Sequence, residues 1–166
     1  SDPRLLDAYL ALSPEIRARL QLDFAGRFDN PQEQKAFEAR IATAEDISYH
    51  GIVNGDRKRQ LFAKAHVFCL PTSYLEGQPL TILEAYASGC LVLTTPQPGI
   101  LDVFVPGVNG KLVSTEDPDL LKEHLVAIAL HPERSLAIAL TNFAEAEKNY
   151  RADVFCERMF RVLEGH

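Results

Sequence analysis

Residues 67–90 read Val-Phe-Cys-Leu-Pro-Thr-Ser-Tyr-Leu-Glu-Gly-Gln-Pro-Leu-Thr-Ile-Leu-Glu-Ala-Tyr-Ala-Ser-Gly-Cys. The first four residues form a short apolar run that is typical of a buried β-strand, and this run stops at Pro71. Pro79 stands where the first position of a helix is expected, because proline fits there without losing a hydrogen bond. Helical spacing then continues to Ser88. This segment therefore predicts a strand, a loop and a helix in succession.

The same alternation of strands and helices extends outward from this segment in both directions. Apolar, β-rich runs fall at Leu20–Ala25, Ile47–His50, Val67–Leu70, Leu91–Thr95 and Lys111–Val113. Longer stretches with helical spacing fall at Arg4–Leu12, Gln32–Ala42, Arg57–Ala65, Pro79–Ser88 and Pro118–Leu130. Strands that alternate with helices of this length form right-handed βαβ units. We therefore expect a Rossmann-like α/β fold with three layers and a doubly wound parallel sheet.

Beyond residue 115 the sequence carries only helical patterning. Phe155, Met159, Val162 and Leu163 fall on one face of a final helix. No repeat or linker interrupts the pattern, so residues 1–166 are expected to form a single domain with C-terminal helices.

Length and composition limit the classes of function. The chain has 166 residues, 46% of them hydrophobic, which is enough for one sizeable core. Its 17 basic and 23 acidic residues give a net charge of −6, which disfavours a nucleic-acid-binding surface. No apolar run approaches the roughly 20 residues that cross a bilayer. The three cysteines and five histidines lack metal-ligand spacing, so the sequence predicts reduced thiols, as in a cytoplasmic protein, and no metal site.

Four loops follow predicted strands and therefore lie at the carboxyl edge of the sheet, where ligands bind in folds of this kind. They are Gly26–Pro31, Gly51–Asp56, Pro71–Gln78 and Thr95–Leu101. In the third loop, Gly77 would let a ligand approach the backbone closely. The helix after it presents unsatisfied N–H groups and a positive dipole end, which suit a phosphate or a sugar oxygen. The composition of these loops also fits plain turns, so both interpretations stay open.

Two carboxylates sharpen the interpretation of the third loop. Glu76 precedes the helix and Glu84 lies on it, and at about 1.5 Å per residue their spacing corresponds to roughly 10 Å. That is wider than the roughly 5 Å of a retaining glycosidase pair, although compatible with an inverting pair. It also suits two anchors that grip opposite ends of an elongated ligand through its hydroxyl groups. Equally, Glu76 could favour the helix N-terminus electrostatically while Glu84 is a solvated surface residue.

Residues 76–85, Glu-Gly-Gln-Pro-Leu-Thr-Ile-Leu-Glu-Ala, resemble the E-x7-E signature of retaining glycosyltransferases with the GT-B fold, of the family 4 or group 1 type. Further segments resemble motifs of that family in the same order and spacing. They are Ile47–Val53, Ala65–Ser73, Ala87–Thr95 and Val105–Val113. The resemblance implies the C-terminal, nucleotide-sugar-binding half of a GT-B enzyme.

The resemblance also implies roles for the residues of the signature. Glu84 would accept hydrogen bonds from the ribose hydroxyls, and Glu76 would contact the hydroxyls of the donor sugar. The backbone amides of Gly77, Gln78 and Leu80 would lie along the sugar and the diphosphate.

Two further matches concern the base and the crevice. The backbone of Val53 would meet the nucleotide base, and Gly26 would close the first strand of the crevice. Lys58 could reach the base or phosphate, but a solvated helix start at residues 57–59 is the favoured interpretation. The resemblance implies no cofactor. The donor substrate would be a nucleotide-diphosphate sugar such as a UDP-, GDP- or ADP-sugar.

The sequence departs from the family's pattern in two places. The family's Arg and Lys that neutralise the diphosphate lie just upstream of the helix that residues 2–6 begin, so they are expected before Ser1, together with the N-terminal acceptor domain. Where the family has a Gly-Gly-x-x-Glu turn, this sequence has Pro98-Gly99-Ile100-Leu101-Asp102, which leaves the role of Asp102 open. The whole protein is expected to bind a glycan or lipid acceptor and no nucleic acid, either in the cytoplasm or peripherally at the inner face of a membrane.

The sequence contains no convincing motif for a general base or a nucleophile. This agrees with a family thought to react on the donor's front face, with the leaving phosphate accepting the acceptor's proton. We therefore expect a retaining, metal-independent hexosyltransferase of polysaccharide biosynthesis, inactive as this segment alone. The alternatives are a non-catalytic nucleotide-binding or scaffold module and a GT-B nucleotide-sugar epimerase or phosphorylase. A dinucleotide-dependent oxidoreductase is disfavoured. Such enzymes carry a G-x-G-x-x-G motif after the first strand, and this sequence has a single glycine there, Gly26.

Overall fold

The computed structural model describes residues 3–72, 80–114 and 116–150. The helices are α1 (Pro3–Leu10), α2 (Pro14–Arg17), α3 (Pro31–Ile41), α4 (Gly55–Lys64), α5 (Leu80–Ala87), α6 (Pro98–Leu101), α7 (Pro118–Leu130) and α8 (Pro132–Asn149). The strands are β1 (Leu22–Phe24), β2 (Ile47–Tyr49), β3 (Val67–Leu70), β4 (Leu91–Thr94) and β5 (Gly110–Leu112). All pairs between these strands are parallel, which confirms the predicted α/β class. None of the helices in these ranges is long and apolar enough to cross a membrane.

The chain forms two compact units. The first comprises Ser1–Leu61 and Ser114–His131, and the second comprises Phe62–Val113 and Pro132–His166. That residues 1–166 make a single domain stays a prediction. The apolar stripe predicted at Phe155, Met159, Val162 and Leu163 lies outside the described residues.

The first unit holds a two-stranded parallel sheet of β1 and β2, and its α1 packs against α7. An aromatic cluster fixes α3 on one face of this sheet. The ring centroid of Phe37, from α3, lies 4.9 Å from that of Phe24, 5.1 Å from that of Phe28 and 5.6 Å from that of Tyr49. Phe24 and Phe37 are both buried, so this cluster forms the core beneath α3.

A polar cluster fixes the amino-terminal ends of the same two strands. The Arg17 guanidinium donates two hydrogen bonds to the Asp46 carboxylate, at 2.6 and 2.9 Å. The Tyr9 hydroxyl donates to Asp46 at 2.9 Å and to the Leu20 carbonyl oxygen at 3.2 Å. Burial, followed by the hydrogen bond with Asp46, raises the pKa of Tyr9 to about 12. The hydrogen bonds from Arg17 hold the pKa of Asp46 below its usual value.

The second unit holds a three-stranded parallel sheet in the order β3-β4-β5. The central strand β4 is buried along its whole length, as expected for a parallel strand with both faces covered. Helix α5 packs against β4 and α8. The buried core residues come from α5, from β4 and the residue before it, from α6 and the loop after it, and from α8: Ile82, Ala85, Tyr86, Cys90, Val92, Ile100, Val103, Phe104 and Ala146.

Strands β4 and β5 approach each other closely at Gly110. A methyl group placed on its Cα would overlap the carbonyl oxygen of Val92, the residue paired with Gly110 in the sheet. Its φ angle is 158°, a value that residues with a side chain rarely adopt. Only glycine fits between these two strands at this position.

Candidate functional site

The loops after β1 and β2 are joined at the carboxyl end of the first sheet. The Gly26 N–H donates to the Gly51 carbonyl oxygen at 2.8 Å, and the Tyr49 hydroxyl donates to the Gly26 carbonyl oxygen at 2.9 Å. Gly26 and Gly51 have φ angles of 137° and 63°, which residues with side chains rarely adopt. The two glycines therefore let both loops turn away from the sheet while they remain in contact.

Val53 lies two residues beyond Gly51 and two residues before α4, and its side chain is half-buried. The structure thus brings Gly26 and Val53, two of the predicted site residues, to the same edge of the first unit. The neighbouring Ile52 is 63% exposed. This edge therefore presents an exposed apolar side chain beside the backbone of two loops.

A histidine–aspartate pair lies next to this edge and was not identified from the sequence. The Nε2 atom of His50, directly after β2, is 2.6 Å from the Oδ1 atom of Asp23 in β1. The signal that could have found this pair is the acidic residue in the middle of an otherwise apolar strand. Pairing with the residue that follows the neighbouring strand explains its presence there.

Helix α5 turns one face to the core and the other outward. Ile82, Ala85 and Tyr86 are buried, whereas Leu80 is 72% exposed and Glu84 is exposed. Leu80 and Glu84 are four positions apart and therefore lie on the same face, one turn from each other. An exposed Glu84 fits both a ligand anchor and a solvated surface residue, so its role stays a prediction.

The remaining predicted site residues, Glu76, Gly77 and Gln78, lie outside the described residues, as does Pro79. The helix predicted from Pro79 to Ser88 is found from Leu80 to Ala87. Of the predicted site residues that the structure describes, Gly26 and Val53 belong to the first unit, and Leu80 and Glu84 belong to the second.

Two threonine hydroxyls and one side-chain amide link the carboxyl ends of β3 and β4. The Thr94 hydroxyl donates to the Leu70 carbonyl oxygen at 3.0 Å, and the Thr95 hydroxyl donates to the Thr72 carbonyl oxygen at 2.5 Å. The Gln97 side-chain amide donates to that same Thr72 oxygen at 3.4 Å. Thr72 is thus fixed from two sides at the point where the chain leaves β3.

In the sequence these two threonines close the longer segment Ala87–Thr95, which resembles a family motif. The signal was available, because two hydroxyl residues close a strand whose other residues are apolar. Buried hydroxyls need hydrogen-bond partners, and Thr94 and Thr95 are 0% and 1% exposed. Which carbonyl groups they bind depends on the pairing of β3 with β4.

The other polar residues noted in the sequence lie at helix ends. Asp102 is exposed at the C-terminal end of α6, and Lys58 is half-buried in the first turn of α4. Burial raises the pKa of the Cys90 thiol to about 11, so this cysteine is not activated as a nucleophile. Within the part of the chain that the structure describes, no three His, Cys, Asp or Glu residues are grouped to hold a metal ion.

Comparison with known proteins gives a family match over most of the chain. Residues 5–131 match the family described as glycosyl transferases group 1. D-inositol 3-phosphate glycosyltransferase of Streptomyces griseus is 27% identical over 135 residues, which are 78% of this chain and 28% of that protein. The chain spans 26–40% of the length of the curated relatives that it matches.

Solved structures agree on the fold. The Anabaena protein Alr3699/HepE in complex with UDP superposes with a TM-score of 0.83 at 18% identity, over 100% of this chain and 45% of that chain. The C-terminal domain of the glycosyl transferase group 1 family protein LpcC from Francisella tularensis gives a TM-score of 0.66 at 16% identity, over 80% of this chain and 87% of that domain. The predicted fold, the C-terminal half of a GT-B structure, is thereby confirmed.

Proposed function

Because the chain belongs to the glycosyl transferases group 1 family, we propose that it is the donor-binding part of a retaining glycosyltransferase. The whole enzyme would transfer a sugar from a nucleotide-diphosphate sugar to an acceptor. A further domain outside this chain would hold that acceptor, a glycan or a lipid-linked molecule.

The observation that carries the proposal is the outward position of Glu84 on α5, inside the segment that resembles the E-x7-E signature. A carboxylate that serves the ribose hydroxyls must be accessible to the ligand, and Glu84 is exposed one turn after the helix begins. A carboxylate accepts hydrogen bonds from both hydroxyls of a ribose at once, and such charge-assisted bonds are the stronger ones. We assign this role to Glu84, and contact with the donor sugar to Glu76.

The amino-terminal end of α5 supplies the second element of the site. Its first backbone N–H groups have no partner within the helix, and its dipole favours negative charge there. We propose that the amides of Gly77, Gln78 and Leu80 lie along the sugar and the diphosphate. Leu80 opens the helix and is exposed, so a ligand can approach this end.

The joined loops of the first unit carry the other predicted residues, Gly26 and Val53. We propose that the backbone of Val53 meets the base and that Gly26 permits close approach of the nucleotide, since its φ angle of 137° and lack of a side chain leave open space beside it. The exposed Ile52 offers an apolar surface for one face of the base. The Anabaena protein HepE has been solved with UDP-glucose as well as with UDP, which makes uridine nucleotides the first choice for a test.

In the proposed reaction the bond between the anomeric carbon of the sugar and the diphosphate oxygen breaks. The new bond forms from the acceptor oxygen on the same face, so the anomeric configuration is retained. The proton of the acceptor hydroxyl passes to the leaving diphosphate, and therefore no general base is required of this chain. Fixed amides and the dipole of α5 would stabilise the charge that develops on the leaving group.

Calorimetric titration of the 166-residue chain with UDP, GDP and ADP tests the proposal. We expect weak binding of at least one nucleotide. Glu84→Ala should lower the affinity for that nucleotide about tenfold, because it removes charge-assisted hydrogen bonds to the ribose. Glu123→Ala, at an exposed glutamate of α7, is the matched control and should leave the affinity unchanged.

Two results would contradict the proposal in different ways. If titration with millimolar UDP, GDP and ADP releases no heat, the chain does not bind the nucleotide of the donor and the whole proposal is wrong. Nucleotide binding that survives Glu84→Ala without loss would favour a non-catalytic nucleotide-binding module over a transferase.

A further inference from the structure

We infer that His50, held by Asp23, is a positioning residue that sets the selectivity of the chain for the nucleotide base. This inference rests on the proposed function, in which the backbone of Val53 meets the base. His50 would act without touching the base. It would fix the direction in which the chain leaves β2, three residues before Val53. The pair and both loops belong to the first unit.

The His50 side chain is tied to β1 through the carboxylate of Asp23. Its Nε2 atom lies 2.6 Å from the Asp23 Oδ1 atom, and because a carboxylate only accepts hydrogen bonds, Nε2 carries the proton and donates. The side chains of His50 and Asp23 are 21% and 41% exposed. Hydrogen bonds to an ionised group are stronger than those between neutral groups. The pair therefore holds the imidazole in one orientation at the carboxyl end of β2.

The loops after β1 and β2 are held together from both faces of the first sheet. Tyr49 packs on Phe37 of α3, and its hydroxyl donates to the Gly26 carbonyl oxygen. Since consecutive residues of a strand point to opposite faces, His50 lies on the face away from α3. Its backbone N–H donates to the Phe24 carbonyl oxygen at 2.8 Å, so it continues the sheet one residue beyond β2. His50 thus completes a clamp that Tyr49 begins on the other face.

The turn after His50 is the reason why the pair acts on the base. Gly51 has a φ angle of 63°, so the chain changes direction immediately after His50 and then continues to Val53. Small errors in the placement of a binding group cost much of its effect. Each base presents its own pattern of donors and acceptors along its edges. A Val53 backbone that has lost its fixed position should therefore discriminate less well between bases.

The selectivity is measured as a ratio that cancels everything the nucleotides share. UDP, GDP and ADP carry the same ribose and diphosphate and differ only in the base. Calorimetric titration gives the dissociation constant of each, and the constant of the weakest-bound nucleotide is divided by that of the tightest-bound one. A loss of stability, or of the Asp23 charge, changes all three constants together. Such effects therefore leave the ratio unaltered.

Two variants break the pair from either side. His50→Leu removes the donor, and Asp23→Val removes the acceptor and introduces a residue that suits a strand. Each should reduce the ratio about fivefold, as for one lost charge-assisted hydrogen bond. The double variant should reduce it no further, because both substitutions remove the same interaction. His50→Gln, whose side-chain amide can donate to Asp23 in place of Nε2, should keep most of the wild-type ratio.

Asp46→Asn is the matched control. Asp46 binds Arg17 at 2.6 Å, the same distance as in the His50–Asp23 pair, but it lies immediately before β2, at the opposite end of the strand. Its substitution weakens a pair in the same unit without altering the carboxyl ends of the strands. The ratio should therefore stay at its wild-type value.

Each outcome decides the question. An unchanged ratio in His50→Leu or Asp23→Val overturns the inference, as does an equal fall in Asp46→Asn or a wild-type chain that binds the three nucleotides equally well. Additive losses in the double variant, or a fall in His50→Gln as large as in His50→Leu, also overturn it. If one single variant does not fold, the other decides. A wild-type chain that binds none of the nucleotides fails at the proposed function itself, which is a different result from binding without selectivity.

Discussion

Asn109 and Asn142 bind each other twice inside the second unit. The side-chain amide of Asn109 donates to the side-chain oxygen of Asn142, and the side-chain amide of Asn142 donates to the backbone carbonyl oxygen of Asn109, both at 2.8 Å. Asn142 also donates to the Cys90 carbonyl oxygen at 2.8 Å, and the Val105 N–H donates to the Asn109 side chain at 2.8 Å. Both asparagines are buried. The network joins α8 to the residues that lead into β4 and β5.

Asn142→Leu should lower the free energy of unfolding by about 3 kcal/mol. The substitution keeps the number and branching of the side-chain heavy atoms but removes a donor from the Cys90 carbonyl and a partner from the Asn109 amide, in a place that water does not reach. Urea denaturation followed by circular dichroism measures the change. Thr141→Ala, at the exposed neighbour on α8, is the control and should stay within about 0.5 kcal/mol of wild type. A loss below about 1 kcal/mol for Asn142→Leu would mean that the network contributes little.

Gly110→Ala should lower the free energy of unfolding by about 3 kcal/mol or more, because the new methyl group overlaps the Val92 carbonyl oxygen across the β4–β5 pair. This overlap could be relieved only if the backbones of β4 and β5 moved apart. Thermal unfolding of the variant beside Gly107→Ala tests this. Gly107 has open space around its Cα but a φ angle of 84°, so its substitution carries backbone strain without overlap and should cost less. Equal losses in the two variants would disprove the steric explanation.

Asp46→Asn should remove stability that depends on pH. The hydrogen bonds from Arg17 lower the pKa of Asp46 from its usual 3.8 in the folded chain. The stabilisation is therefore fully present above that value and is lost as the pH falls through the lower, folded pKa. We expect the difference in unfolding free energy between wild type and Asp46→Asn to be about 2 kcal/mol at pH 7 and to shrink as the pH falls below 3.8. Urea titrations at several pH values measure it.

The control for this ion pair is Asp7→Asn. Asp7 binds Arg40 at 2.6 Å, the same distance as in the Arg17–Asp46 pair, but on the surface. Its loss should cost no more than about 0.5 kcal/mol, since exposed pairs are screened by water. The difference in unfolding free energy between wild type and Asp46→Asn could also stay constant from pH 7 to pH 2. That result would show that the charge of the Asp46 carboxylate does not stabilise the fold.

The order of helices and strands could be predicted from periodicity, but their ends depended on contacts that periodicity does not contain. The first strand was predicted from Leu20 and begins at Leu22. Leu20 still belongs to the turn after α2, where its N–H donates to the Arg17 carbonyl oxygen and its own carbonyl accepts the Tyr9 hydroxyl. The last strand was predicted from Lys111 and begins at Gly110, because glycine is a poor strand former that close packing requires here. The helices α2 and α6 are single turns, too short to show a period.

The sequence likewise identified some residues of the candidate site and missed others. Gly26, Val53, Leu80 and Glu84 were selected by resemblance and lie at strand ends or on a helix start, where motif spacing places them. The hydroxyl of Thr95 could not be assigned a partner from the sequence. Its carbonyl acceptor lies 23 positions away and is reached only through the pairing of β3 with β4.

The crowding at Gly110 also has a use for comparing distant sequences. Since the carbonyl of Val92 leaves no room for a side chain, a chain in which the two strands approach each other as closely needs glycine opposite that residue. Where an alignment of remote homologues sets a larger residue there, either the strands are further apart or the alignment has slipped. Gly110 is therefore a landmark by which such alignments can be anchored when overall identity is too low to guide them.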